Sequence, residues 1–157
     1  MFKKKHEKKD LTDLSIYTAL HHISGLPLIE DGLCEIFSFP DRLDFKYGTT
    51  EITLSKDKIT DMLIKTDTEI QNQAVSSVGG AISGAMLFGA IGAIIGGRSK
   101  TKKIKTISNY LIIAYQEHTG DTPKFIVFDT KNNPPSAHKL IKEFHKNSNI
   151  HNTKITL

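Results

Sequence analysis

The chain has 157 residues, of which 38% are hydrophobic and 24% charged, as expected for one globular domain with a buried core and not for a disordered chain. The formal net charge of +4 is too small to indicate a nucleic-acid-binding protein by itself. The single cysteine, Cys34, excludes an intrachain disulfide and favours a reducing, cytoplasmic location. We expect Cys34 to be a buried core residue, because the sequence places no base beside it to activate the thiol.

The N-terminal part is predicted to be a tail followed by a helix. Residues 1–9 are strongly basic and lack the apolar stretch of a signal peptide, so we expect a disordered basic tail. Asp10 can cap a helix over residues 10–25, in which Leu11, Leu14 and Leu20 recur at helical spacing. Gly25 would end this helix.

The period then changes from helical to alternating, which is typical of strands. The predicted strands cover residues 33–39, 42–47, 51–55, 59–70 (one longer, bent strand), 110–115 and 124–129. A helix beginning at Ser136 follows, because apolar residues recur at i, i+3, i+4 and i+7 and form a face suited to covering a sheet. These residues are Ala137, Leu140, Ile141 and Phe144.

A run of antiparallel strands closed by one C-terminal amphipathic helix resembles the pleckstrin-homology-like (PH-like) superfold, in particular its bacterial and GRAM-type members. The matching stretches are residues 43–45, 52–62, 110–113 and 125–128. The opening at residues 25–28 and the glycine-rich insertion resemble an uncharacterised subgroup of bacterial and prophage proteins.

The resemblance implies an α+β domain over residues 26–147, built from an antiparallel sheet or partly open barrel with a C-terminal capping helix. A glycine-rich helical hairpin would be inserted at residues 71–105, and residues 148–157 would form a tail. The resemblance also implies a binding module rather than an enzyme, and it assigns no ligand to particular residues.

The most unusual stretch is residues 70–97, which contains 28 residues without a charge and 7 of the 11 glycines. Small residues recur here at a spacing of four, which on a helix gives a flat stripe that another helix can approach closely. We expect these residues to form a helix-packing surface, used within a hairpin, between copies of the chain or in a membrane. They are Gly80, Gly84, Ala85, Gly89, Gly92, Ala93, Gly96 and Gly97.

Five basic residues follow the glycine-rich stretch: Arg98, Lys100, Lys102, Lys103 and Lys105. Basic residues beside a membrane-embedded segment are attracted to anionic lipids by about 1 kcal/mol each. A single crossing is disfavoured because both ends must return to one domain. A hairpin has arms of roughly 21 Å, short of the roughly 30 Å hydrocarbon core. The pattern therefore predicts a hairpin that enters one leaflet or packs against itself or sister copies.

The sequence shows no convincing catalytic or metal-binding arrangement. His21 and His22 are adjacent, and His138 and His145 are seven residues apart, so neither pair makes a metal site by itself. We interpret four aspartates as turn and surface residues: Asp41, Asp44, Asp57 and Asp61. No phosphate-binding loop is present, because no Lys-Ser/Thr pair ends the glycine-rich stretch. We predict no enzymatic activity, no cofactor and no metal.

Two functions remain open. The first is a PH-like module at the inner face of the cell membrane, which contacts anionic lipid through the hairpin and its basic flank. The alternative is a soluble homo-oligomeric scaffold, assembled by glycine-zipper packing, that binds another protein in a phage or phage-defence context. Nucleic-acid binding is disfavoured because the basic residues are not interleaved with aromatic ones.

Overall fold

The computed structural model describes residues 11–70 and 108–151. This part of the chain contains seven strands and a C-terminal helix, with a 3-10 turn at Lys56–Lys58. The elements are β1 (Ile16–Ser24), β2 (Leu33–Ser38), β3 (Arg42–Tyr47), β4 (Thr50–Ser55), β5 (Ile59–Thr66), β6 (Asn109–Tyr115), β7 (Lys124–Asp129) and α1 (Pro134–His151).

The strands form one antiparallel sheet in the order β4-β3-β2-β1-β7-β6-β5. Two consecutive meanders, β1–β4 and β5–β7, are joined where β1 pairs with β7. The sheet is open, with β4 and β5 as its edges. An antiparallel sheet with a C-terminal helix confirms the predicted α+β class. The inserted hairpin, predicted at residues 71–105, and the N-terminal tail lie outside the described residues.

The helix α1 packs on one face of the sheet, which we call the inner face. Ala137, Leu140 and Phe144 are buried in the main core, and Ile141 packs against it, so the predicted helical face is confirmed. The strand residues of this core alternate along the chain and include Leu20, Ile36, Leu43, Phe45, Met62, Leu111, Ile113 and Phe128. The helix also continues to His151, beyond the predicted tail boundary at residue 148.

The opposite, outer face carries a second apolar cluster, which covers β5–β7 and the end of β1 beside β7. Its buried members are Ile23, Ile70, Tyr110, Ile112 and Val127, with Leu63 and Phe125 packed against them. Because both faces of β6 are buried, residues 110–114 form a continuous apolar run, as the sequence predicted for a central strand.

The predicted helix over residues 10–25 is wrong, because Ile16–Ser24 is strand β1. The buried residues Thr18, Leu20 and His22 alternate along this strand. Two of these three are polar, so the period of two was hidden in the sequence. The Thr18 hydroxyl is hydrogen-bonded to the Ser136 hydroxyl at the start of α1, which satisfies both groups in the interior.

Gly25 ends β1 rather than a helix. Its φ of 101° lies in the region that favours glycine. A Cβ atom at this position would also lie 2.0 Å from the carbonyl oxygen of Phe125 in β7. The conformation and the close approach of the two backbones both require glycine here.

Asp44 is buried, at 3% exposure, so its interpretation as a surface residue is wrong. The Thr53 hydroxyl donates a hydrogen bond of 2.8 Å to Asp44 Oδ1, and Arg42 Nε lies 3.5 Å from Asp44 Oδ2. Thr53 lies on the neighbouring strand β4 and Arg42 on β3, the strand of Asp44 itself. Together they compensate the buried carboxylate. Cys34 is buried as predicted, and burial raises the pKa of its thiol to about 11.

Candidate functional site

All the residues predicted to act in the glycine-rich stretch and its basic flank lie outside the described residues, and their roles stay predictions. The stretch comprises Gly80, Gly84, Ala85, Gly89, Gly92, Ala93, Gly96 and Gly97, and the flank comprises Arg98, Lys100, Lys102, Lys103 and Lys105. The structure does describe where this insertion joins the sheet. We call that place the insertion root: Thr66, Asp67, Glu69, Ser108 and Asn109.

The two ends of the insertion meet at the root. Thr66 in β5 is paired with Asn109 in β6, and the Asp67 backbone N–H donates a hydrogen bond of 3.1 Å to the Ser108 carbonyl. The chain therefore leaves the edge strand and returns to its neighbour at paired positions. The two flanks of the insertion therefore lie side by side at one end of β5 and β6.

A capping box begins the insertion. The Thr66 hydroxyl accepts a hydrogen bond of 3.1 Å from the Glu69 backbone N–H, and Glu69 Oε2 accepts one of 3.0 Å from the Thr66 backbone N–H. This reciprocal pair is a helix-start signal, and residues 67–70 are helical. The prediction of one strand over 59–70 is therefore wrong after Thr66. The Thr-x-x-Glu spacing was the available signal, but alternating Thr66, Thr68 and Ile70 concealed it.

A shallow groove of about 430 Å³ lies where the start of β1 and the β2–β3 turn meet the second half of α1. It is lined by Ser15, Ile16, Pro40, Glu143, Lys146 and Asn147. Glu143 is engaged at its rim, because Lys56 Nζ lies 3.5 Å from Oε1 and the Ser38 hydroxyl donates to Oε2 at 3.4 Å. These contacts tie the 3-10 turn and β2 to α1, and no nucleophile paired with a base lines the groove.

His22 and His145 make structural contacts. The buried ring of His22 accepts the Leu26 backbone N–H at Nε2 over 3.2 Å, so its Nδ1 carries the proton toward the Ile29 carbonyl at 3.3 Å. His145 Nε2 lies 3.2 Å from the Met62 carbonyl oxygen. Within residues 11–70 and 108–147, no three His, Cys, Asp or Glu side chains are grouped to hold a metal ion.

Among the described elements, no helix has the length and apolar character needed to cross a membrane. Comparison of the sequence with protein-family models and with curated proteins finds no match.

Proposed function

We propose that the protein is a non-enzymatic PH-like, GRAM-type binding module at the inner face of the cell membrane. The glycine-rich stretch and its basic flank contact anionic lipid, and the β-domain carries them. The observation that supports this proposal is the insertion root, where Thr66 and Asn109 are directly paired. The uncharged stretch of residues 70–97 begins and returns at this one edge of the domain, since the strands at its two ends are paired.

The root also defines how such a segment meets a bilayer. Strands β5 and β6 are paired from Ile59 and Tyr115 to Thr66 and Asn109, so both ends of the insertion stay on one side. A single crossing would require those strands to separate. Entry into one leaflet keeps them paired and leaves the five basic residues at the headgroups, where each contributes about 1 kcal/mol of attraction to anionic lipid.

Vesicle co-sedimentation with phosphatidylserine-containing and neutral vesicles tests the proposal. The wild type is expected to bind the anionic vesicles and to release them as salt is raised. The flank variant K100Q/K102Q/K103Q/K105Q removes four charges and should weaken binding by about a thousandfold, at about 1 kcal/mol per charge. The matched control K58Q/K131Q/K139Q/K142Q removes four charges from exposed positions of the β-domain and should bind as the wild type does.

Light scattering distinguishes the alternative. If the wild type does not bind anionic vesicles yet forms a defined oligomer, the lipid-binding proposal is contradicted and the homo-oligomeric scaffold is supported. The variant G84L/G89L/G92L fills the stripes of small residues while keeping the stretch apolar. It should dissociate an oligomer held by helix packing, whereas lipid binding through apolar surface should persist.

A further inference from the structure

The outer face of the β5–β7 half of the sheet is buried although α1 lies on the other side. Ile23, Ile70, Tyr110, Ile112 and Val127 are each at most 4% exposed. The four strand residues among them alternate with the inner-face residues along their strands, and all five form a cluster separate from the main core. The helix residues that pack on the sheet belong to the inner cluster.

A sheet face open to water leaves most of its large side chains partly exposed. On the outer face of the β1–β4 half, Tyr17 is 49% and Leu33 is 48% exposed, and Phe37, at 9%, is covered by the adjacent Tyr17 ring. In the described part of the chain, the members of the outer cluster are strand residues and Ile70, and no residue of α1 belongs to it. Burial of this extent requires a further layer on the outer face.

Ile70 indicates which segment supplies that layer. It is the last described residue before the glycine-rich stretch, it is fully buried, and it belongs to the outer cluster. The chain therefore turns from the insertion root onto the outer face as the insertion begins. The 37 residues from 71 to 107 continue from that point, and they are uncharged up to residue 97.

We propose that the outer face of β5–β7 is the docking site of the chain's own residues 71–107. Attachment at Ile70 and Ser108 holds this segment beside the face, so docking has the high effective concentration of an intramolecular contact. The many glycine and alanine residues allow a backbone to approach the sheet closely. The inference does not depend on lipid binding, and its test contains no membrane.

Cysteine crosslinking in the full chain tests the proposal, with two neighbouring residues of β5 as a matched pair. Leu63 packs with the outer cluster and Ile64 with the inner one, and both are half-buried. L63C is combined in turn with A81C, A85C, A90C and A93C, and I64C with the same four. Dilute protein is treated with a short bismaleimide at neutral pH. Native Cys34 stays unreactive because it is fully buried.

We expect an intrachain crosslink for L63C with at least one of the four positions, and at least tenfold less for I64C. Crosslinks between chains would assign the site to a second copy and overturn the proposal, as would equal yields for L63C and I64C or no crosslink at all. Phe125 and Tyr115 provide a second outer and inner pair for F125C and Y115C if a β5 variant loses its cooperative unfolding.

Discussion

The packing of α1 on the inner face predicts a graded loss of stability along three consecutive helix residues. Leu140 is 1% exposed in the main core, so Leu140→Ala removes three fully buried carbon atoms. At about 0.8 kcal/mol for each, the lost transfer energy is about 2.4 kcal/mol. The cavity left behind adds to this, and we expect a total of about 3–4 kcal/mol, within the range measured for such substitutions.

Urea unfolding followed by circular dichroism measures this loss. With an m-value of about 2 kcal/mol per M, the midpoint should fall by about 1.5–2 M at unchanged slope. Ile141→Ala, at a half-buried position, should cost less, and Lys139→Ala, at an exposed position, should stay within about 0.5 kcal/mol of wild type. A midpoint for Leu140→Ala equal to that for Lys139→Ala would refute the packing of this helical face on the sheet.

Three further predictions use the same unfolding assay or a thiol assay. Gly48→Ala should cost about 1–2 kcal/mol, because its φ of 58° is unfavourable for alanine although the new Cβ would meet no neighbouring atom. Gly25→Ala should cost more, because its new Cβ would also clash with the backbone of β7. Asp44→Ala should cost about 1.5–3 kcal/mol, because it removes the charged acceptor of the hydrogen bond from the Thr53 hydroxyl. The Cys34 thiol should react with a maleimide only after unfolding. Burial raises the pKa of this thiol from 9.0 to about 11, so the neutral thiol contributes fully to the free energy of unfolding below pH 9.0. This contribution is lost as the pH rises through 11, and a Cys34→Ala variant should not show that loss.

The strands that the sequence predicted well either alternate apolar and polar residues or form a continuous apolar run. In β3, Leu43 and Phe45 face the core, and Arg42 and Lys46 face outward, so the period of two was visible. The hairpin of β6 and β7 was found from two apolar runs separated by a turn. For α1, the spacing of its apolar residues identified both the helix and its buried face.

Strand β1 and residue Asp44 were misjudged for one shared reason. In each case, a polar side chain occupies a buried position and is compensated by a partner distant in sequence. Thr18 is bonded to Ser136, 118 residues away, and Asp44 to Thr53 on the neighbouring strand. A local pattern cannot reveal such a partner, so Asp44 was interpreted as a surface residue, and helical spacing was the strongest remaining signal in residues 10–25.

The two proposals assign the same segment to two surfaces, and this makes them thermodynamically linked. Apolar residues of the segment that dock on the outer face are withheld from lipid. The apparent lipid affinity is therefore the intrinsic affinity multiplied by the fraction of molecules in which the segment is undocked. Weakening the outer face, for example by Leu63→Ser, should then strengthen vesicle binding, whereas Ile64→Ser on the inner face should not. The basic flank carries its charge in both states and governs the first, salt-dependent encounter with anionic lipid. Salt should therefore act on the attraction of the protein to the bilayer surface. Outer-face substitutions should act on a separate step, the release of the apolar segment from the sheet into the bilayer.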